Sequence, residues 1–373
     1  MHSQGQSKDS QYYRAKRYSL LKYSLGIIDT LYLLILLFAF GGFGFSKLLA
    51  RSLTKLAGQD SLVIPLYVLA VFIGYYIVSF PLHFYRSFIL EHAFSLSNQR
   101  LADWWKDQCK GGVISYGIAL VLIGAFYLIV KQYMYTWWLV ISFFWILFSL
   151  ILARLMPVLI IPLFFKYKKL SDDSLRERIM RLAEKMKIRI LDCYQIDFSK
   201  KTLKANAAFV GWGATRRVIL ADTLKDKYSL DEIEVILAHE FAHYKLRHLI
   251  KLILANALVT MLVFYCIFTT SDAFLRVFGL RSLWDIAALP VLLIYFVVFG
   301  IAMQPFENYI SRRFEKNADL MALKATGLKE AFISMMEKLS SQNLADRNPP
   351  RLIKAYFFDH PSVDERIALA KSQ

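Results

Sequence analysis

Cysteine is scarce in this chain. Cys109, Cys193 and Cys266 are the only three among 373 residues, and no two stand at a short spacing, which excludes a thiolate zinc site and a disulfide framework. Acidic residues are few beside basic ones, 29 against 46, for a formal net charge of +17. No internal repeat and no low-complexity segment divides the chain. Long polar stretches are nearly missing as well. The length alone would suit two ordinary soluble domains, but only 167–248 is polar for long enough to make a soluble unit.

Apolar residues fill the rest. They make up 57% of the chain, aromatic residues 15%, and mean hydropathy is +0.40. They come in long blocks, where a soluble domain breaks them into short periodic runs. Five blocks approach or exceed the ~20 residues that cross a bilayer at 1.5 Å rise each: 24–45, 61–85, 111–130, 135–165 and 249–270. A sixth, 285–310, is apolar from Ile286 to Pro305 and then turns polar. Arg154 and Pro157 in the fourth predict a kink or an early end. The reading is a mainly α, multi-pass membrane protein with six spans, five and seven being the bounds. The first block starts too late and runs too long for a signal-peptide core, and Phe45-Ser46-Lys47 follows it in place of a small-residue cleavage site. It reads as the first span.

The placement of the positive charge gives an orientation. Lys8, Arg14, Lys16, Arg17 and Lys22 precede the first span, Arg86, Arg100, Lys106 and Lys110 follow the second, and the segment after the fourth is dense in both residue types. The third loop has Lys131 alone and the fifth has Arg276 and Arg281. Positive residues in short loops favour the cytoplasmic side, so six spans put both termini and 167–248 in the cytoplasm. Lys47, Arg51 and Lys55 in the first loop weaken the contrast. The excess charge reads as attraction to anionic lipid headgroups, a membrane partner, with no nucleic acid expected.

Four regions follow: spans one to four over 1–166, a soluble catalytic segment over 167–248, two further spans over 249–310, and a helix with a polar cytoplasmic tail over 311–373. In the soluble segment, Ser171-Asp172-Asp173-Ser174 opens a helix whose apolar face is Leu175, Ile179, Leu182, Ala183 and Met186. Residues 188–197 alternate as a strand. Two shorter extended pieces, 205–212 and 217–220, are turned by Gly211-Trp212-Gly213. Ser229 and Glu232 form a capping box, opening a helix that leads directly toward the fifth span.

That helix carries His239-Glu240-Phe241-Ala242-His243. Histidines at i and i+4 share one helical face, so both imidazoles can reach one zinc ion. The intervening Glu240 faces the same cavity, as a general base for water and a carrier of its proton to the leaving amine. The alternative is a pair of helix-surface histidines near the membrane. A zinc peptidase needs a third protein ligand and an open fourth position. Metzincins take a histidine six residues after the motif, where this chain has Leu249; His248, five beyond His243, falls off the ligand face. Glu315, just past the sixth span, is the strongest candidate for third ligand. Asp319, one turn on, could hold a ligand histidine in the right tautomer. The alternative for both carboxylates is pairing with Arg312, Arg313 or Lys316 on a helix surface.

At these residues the sequence resembles the M48 peptidases, and within them the integral-membrane CAAX prenyl protease type 1 group. Glu315-x-x-x-Asp319-x-x-Ala322 is similar to the family's third-ligand motif. Asn206-Ala207-Ala208-Phe209-Val210-Gly211 and 217–224 resemble the segment before its zinc helix. Ile161-Pro162-Leu163-Phe164 resembles the close of its fourth span, 91–99 (Glu91-His92-Ala93-Phe94 onward) its second-loop signature, and Phe358-Asp359-His360-Pro361 with Glu365-Arg366-Ile367 its C-terminal motif. The resemblance runs in order from about residue 86 to 370. It implies one zinc ion per chain held by His239, His243 and Glu315, with Glu240 as base and Asp319 as a supporting or proton-donating carboxylate. It also implies Asn206 beside the substrate backbone, substrate pairing along Asn206, Ala207, Ala208 and Phe209, and His360 at the oxyanion. Read without it, Asn206 is a turn residue and His360 a residue before proline. The implied fold is a ring of membrane helices around a large water-filled chamber, with a gluzincin-type peptidase domain holding a small β-sheet.

Family members are described with seven spans, one more than counted here. The chain is short for a eukaryotic member, its second loop reads like bacterial relatives, and Ala370-Lys371-Ser372-Gln373 carries no ER-retention signal. These features favour a bacterial cytoplasmic membrane over the ER. The expected activity is zinc-dependent endopeptidase action on membrane-associated, prenylated or amphipathic polypeptides. A site-2-type protease would need a later Leu-Asp-Gly ligand motif, and the chain has no Asp-Gly pair. The remaining alternative, a transporter or scaffold with structural zinc, has no use for Glu240.

Overall fold

The computed structural model describes the backbone of residues 2–57, 59–211, 216–225 and 227–373, and side chains for 11–57, 59, 61–211, 216–225 and 227–373. Among these residues six helices are long and apolar enough to cross a membrane: Gln11–Gly42, Ser61–Ala93, Leu101–Gln132, Trp137–Phe164, His248–Val277 and Ile286–Thr326. Each contains most or all of one of the six apolar blocks. Hydrocarbon offers no partner to an open backbone, so long apolar blocks close their hydrogen bonds as helices.

In chain order these are α1 (His2–Gly42), α2 (Phe45–Ala57), α3 (Asp60–Phe84), a π turn at Tyr85–Ile89, α4 (Leu90–Ala93), α5 (Leu101–Gln132), α6 (Trp137–Leu155), a second π turn at Met156–Ile160 and α7 (Ile161–Phe164). Two points left open by the sequence are decided here. The first loop is the 13-residue helix α2, with Lys47, Arg51 and Lys55 spaced four apart along one face and Ser46 and Ala50 buried. The fourth span does not end at Pro157: the π turn takes up the proline and the helix continues to Phe164.

The soluble segment forms β1 (Tyr167–Lys169), α8 (Asp173–Lys185), β2 (Asp192–Ile196), β3 (Ala207–Val210), β4 (Arg217–Ala221), α9 (Asp222–Lys225) and α10 (Leu230–Lys245). The expected turn at Gly211-Trp212-Gly213 lies, after Gly211, outside the described residues. Asp172 caps α8, its carboxylate accepting from Leu175 N. The sheet order is β1-β2-β4-β3, with β2 and β4 parallel, the other pairs antiparallel, and β3 at an edge. After α10 come α11 (His248–Val277), α12 (Leu289–Thr326), α13 (Lys329–Asn343), α14 (Arg351–Phe357) and α15 (Val363–Lys371).

Two cores result. The membrane core joins residues of α1, α2, α3, α5, α6 and α11 to the start of α12, from Leu289 to Tyr295. The peptidase core joins α8, the sheet, α10, α13 and α15 to the end of α12, at Ala318, Ala322 and Leu323. With 38 residues, α12 is ~57 Å long at 1.5 Å per residue and belongs to both. The second loop ties them together a second time. Lys204 Nζ donates to Glu91 Oε2 at 2.8 Å, Tyr18 Oη donates to Glu91 Oε1 at 2.6 Å, and Leu203 N donates to Leu96 O at 3.0 Å. These contacts fix the chain just before β3.

Candidate metal centre

Helix α10 is anchored at its N-terminus. Ser229 Oγ accepts from Glu232 N at 3.2 Å, and Glu232 Oε2 accepts from Ser229 N at 2.7 Å, closing the capping box. Glu232 also accepts from Lys338 Nζ at 2.7 Å and Ser334 Oγ at 2.6 Å, which locks α10 to α13. On the opposite side, Ala238 and Ala242 of α10 and Ala318 and Ala322 of α12 are all fully buried. Small residues here let the two helices approach closely, and each of Ala238, Ala242 and Ala318 immediately precedes a site residue.

The approach brings His239, His243 and Glu315 together, with one ligand atom from each lying within 4.8 Å of the others. His239 Nε2 is 3.2 Å from Glu315 Oε2, His243 Nε2 is 3.1 Å from Glu315 Oε1, and the two Nε2 atoms are 3.0 Å apart. Glu315 Oε2 is buried and has no hydrogen-bond partner among the described residues. Two converging imidazole nitrogens and an unsatisfied buried carboxylate oxygen are chemically incomplete without a cation. Two nitrogens and one carboxylate are also the donor set that zinc takes in peptidases with an open fourth position. The residues present therefore fit the metal.

Further groups surround this cluster. Asp319, wholly buried, accepts from His239 Nδ1 at 2.9 Å. Two of the three alternative partners of the carboxylates are engaged elsewhere: Arg312 donates to the carbonyls of Lys354 and Phe358, and Arg313 lies over the Tyr309 ring. Glu240 is half-buried beside the two histidines, and burial raises its carboxyl above the ordinary carboxylate range. His360 Nε2 lies 3.4 Å from Glu315 Oε2, while its Nδ1 donates to Asp359 at 2.7 Å; the side chain is 48% exposed and so reaches the open side of the cluster.

Asn206 is exposed at the start of β3, and its carbonyl accepts from Ala221 N at 3.0 Å. Ala207 and Ala208 continue the edge strand, and Phe209 packs on Phe241 and Tyr244 with ring centroids 5.1 and 5.6 Å away. These four residues lie beside α10, and among the described residues no hydrogen bond or ion pair joins them to the three-residue cluster.

Two side chains that the sequence reading left without a role touch the site. Arg366 of α15 donates through Nε to Asp319 Oδ2 at 2.8 Å and through Nη2 to Oδ1 at 2.6 Å. Its position in the C-terminal motif was the only signal. His248 lies with Nδ1 at 3.1 Å from His243 Nδ1. The expected continuous helix is broken here: α10 ends at Lys245, and Arg247 adopts a left-handed conformation before α11.

Residues 169–373, more than half of the chain, match the family described as peptidase family M48. The chain belongs to peptidase family M48. Residues 2–166 of this M48 peptidase match the family described as CAAX prenyl protease N-terminal, five membrane helices. It is 34% identical over 284 residues to the uncharacterized metalloprotease YhfN of Bacillus subtilis (strain 168), covering 75% of this chain and 67% of the relative. It is 29% identical over 312 residues to CAAX prenyl protease 1 of Saccharomyces cerevisiae, covering 78% and 68%. Its fold matches the crystal structure of S. mikatae Ste24p with a TM-score of 0.88 at 24% identity, over 97% of this chain and 89% of that one. The chain is thus an integral membrane metalloprotease of a zinc-dependent family, mainly helical with one small mixed sheet.

Proposed function

We propose that this chain is an endopeptidase that cleaves membrane-associated, prenylated or amphipathic polypeptides, with one zinc ion held by His239, His243 and Glu315 and with Glu240 as general base. The observation that carries the reading is the buried, unsatisfied Glu315 Oε2 facing two imidazole nitrogens in a chain of the M48 family. Zinc bound there would supply a Lewis acid that polarises a carbonyl and makes water more acidic.

The protein's own groups do the rest. Glu240 takes a proton from the attacking water and passes it to the amine as the C–N bond breaks. Asp319, fixed by Arg366, keeps the His239 proton on Nδ1, so that Nε2 is free to ligate. His360, half-exposed beside Glu315, donates to the substrate oxygen that gains negative charge. The substrate backbone pairs with the free edge of β3 near Asn206. Because Asn206 O bonds to β4, alternation along an antiparallel pair turns the N–H and C=O groups of Ala207 and Phe209 outward. A prenylated substrate is suggested by the relative called CAAX prenyl protease 1. The positive charge before the first span and after the second and fourth favours a cytoplasmic catalytic segment and termini. The second-loop sequence favours a bacterial cytoplasmic membrane over the ER.

The deciding experiment measures zinc content and cleavage of quenched peptides, with and without a farnesylated C-terminal cysteine, on detergent-purified protein. Stoichiometric zinc and activity in wild type, zinc without activity in Glu240→Gln, and loss of zinc in Glu315→Ala are expected. Equal activity in wild type and Glu240→Gln would overturn the assignment of the base. Indifference to the farnesyl group would replace prenyl processing with general membrane proteolysis.

A further inference from the structure

The two histidines of the motif are held in different ways. His239 donates to a carboxylate, Asp319, whereas His243 meets another imidazole, with its Nδ1 3.1 Å from His248 Nδ1. The backbone makes that meeting possible. In an unbroken helix a residue five positions on is turned ~140° away at 3.6 residues per turn, too far round for the rings to touch. The chain leaves the helix at Leu246 and Arg247, where Arg247 sits at φ 54°, ψ 36°. The reversal swings the His248 ring back onto His243, with centroids 5.0 Å apart and planes at 79°.

The ring is held on its other side too. Phe314, the residue before Glu315 on α12, stacks on His248 with centroids 4.4 Å apart and planes at 7°. His248 is 1% exposed, and its Nε2 is buried with no hydrogen-bond partner among the described residues.

We infer that His248 is a positioning residue, which fixes the orientation and tautomer of His243 so that Nε2 faces the metal. The inference rests on His239, His243 and Glu315 being the metal site. A hydrogen bond between two ring nitrogens has one donor and one acceptor. For His243 Nε2 to give its lone pair to a cation, the His243 proton must sit on Nδ1 and be donated to His248 Nδ1. His248 then carries its own proton on Nε2, the atom that has no partner. The opposite assignment would place a proton on His243 Nε2, between it and the metal. An imidazole acceptor also orients the ligand without adding another negative charge to a pocket that already holds Glu240, Glu315 and Asp319. The unpartnered N–H is a standing cost of a buried unsatisfied group, which a purely packing residue at this position would not incur.

The test uses the full chain in detergent, stripped of metal, with zinc affinity read by competition against a chromophoric chelator and metal-free Tm read alongside. His248→Phe keeps the stack on Phe314 but offers no acceptor. His248→Asn gives up the ring but places an amide oxygen near the Nδ1 position. His248→Phe should weaken zinc binding by ~10–100-fold, the usual effect of losing an outer partner of a ligand, with its metal-free Tm near wild type. His248→Asn should recover most of that loss. Equal affinity in wild type and His248→Phe would overturn the inference, as would His248→Asn binding no better than His248→Phe. Should His248→Phe not fold, His248→Leu replaces it in the same comparison with His248→Asn. Wild type that binds no zinc would instead remove the metal centre itself.

Discussion

Arg366 grips Asp319 from behind the site with two hydrogen bonds, Nε to Oδ2 at 2.8 Å and Nη2 to Oδ1 at 2.6 Å, and the same carboxylate accepts from His239 Nδ1 at 2.9 Å. Asp319 is fully buried, so it depends on that cation. Removing one partner of a buried pair leaves an uncompensated charge and costs about 3–5 kcal/mol. Arg366→Met should therefore destabilise the protein strongly and weaken zinc binding. Pairing it with Asp319→Asn should restore part of the stability, because no unpaired charge then remains, while leaving zinc weak. A double-mutant cycle on unfolding free energy and zinc affinity checks both; additive stabilities would mean that the two groups do not act as a pair.

The edge strand gives a prediction with an internal control. If Ala207 and Phe209 present their backbone groups to substrate while Asn206 and Ala208 face β4, proline should act differently at adjacent positions. Ala207→Pro removes an outward donor and no ladder bond, as edge strands tolerate. It should lower kcat/KM several-fold, about what one hydrogen bond of ~1 kcal/mol is worth, with little change in Tm. Ala208→Pro removes a bond to Ile219 and should lower Tm more. Peptide kinetics and thermal unfolding of the two variants decide it: the reverse order would mean that substrate does not pair along β3.

What the sequence revealed and what it hid divide along physical lines. The six long apolar helices were legible because hydrocarbon demands long apolar blocks, and a helix satisfies the backbone of such a block within itself. The helices run further than the blocks, from His2 and Leu101 rather than from 24 and 111, since Asp103, Lys106 and Lys110 continue a helix beyond the lipid where hydropathy carries no signal. The capping box at Ser229 and Glu232 and the two histidines at i and i+4 are local patterns, readable from spacing. Strand β1 was not, because Tyr167–Lys169 gains its partner only from 194–196. The break at Arg247 was hidden because a non-glycine residue takes up the left-handed conformation, where a glycine would have announced the turn. That single dihedral separates a histidine expected off the ligand face from one resting on His243.

Glu232 gives stability a predictable pH dependence. Burial alone would raise its carboxyl, but hydrogen bonds from Lys338, Ser334 and the Ser229 backbone outweigh burial and hold it below the ordinary carboxylate value. A depressed folded value means that the stabilisation is fully present above the ordinary carboxylate pKa and is lost as pH falls through the folded value. The Tm difference between wild type and Glu232→Gln should thus be large at neutral pH and shrink below pH ~4. A difference that stays constant down to the acid limit would show that the carboxylate charge contributes nothing to anchoring α10 on α13.

The metal should widen the stability margin of wild type over Glu315→Ala. Without zinc, burial would raise the Glu315 carboxyl, but its contacts with His239 and His243 outweigh burial and hold it below the ordinary carboxylate range. Alanine removes that anion together with those contacts. The metal-free variant should then be somewhat less stable than metal-free wild type. Zinc binds the folded state alone and adds about 2.7 kcal/mol at a free concentration one hundred times Kd. Loaded wild type should therefore unfold above the variant, which gains little from the ion. Thermal unfolding of both proteins, with zinc and with chelator, reads the widening directly. If chelator leaves wild type above Glu315→Ala by the same margin as zinc does, Glu315 acts as a structural anion for the two histidines, and the third ligand must be sought among the other groups around the cluster.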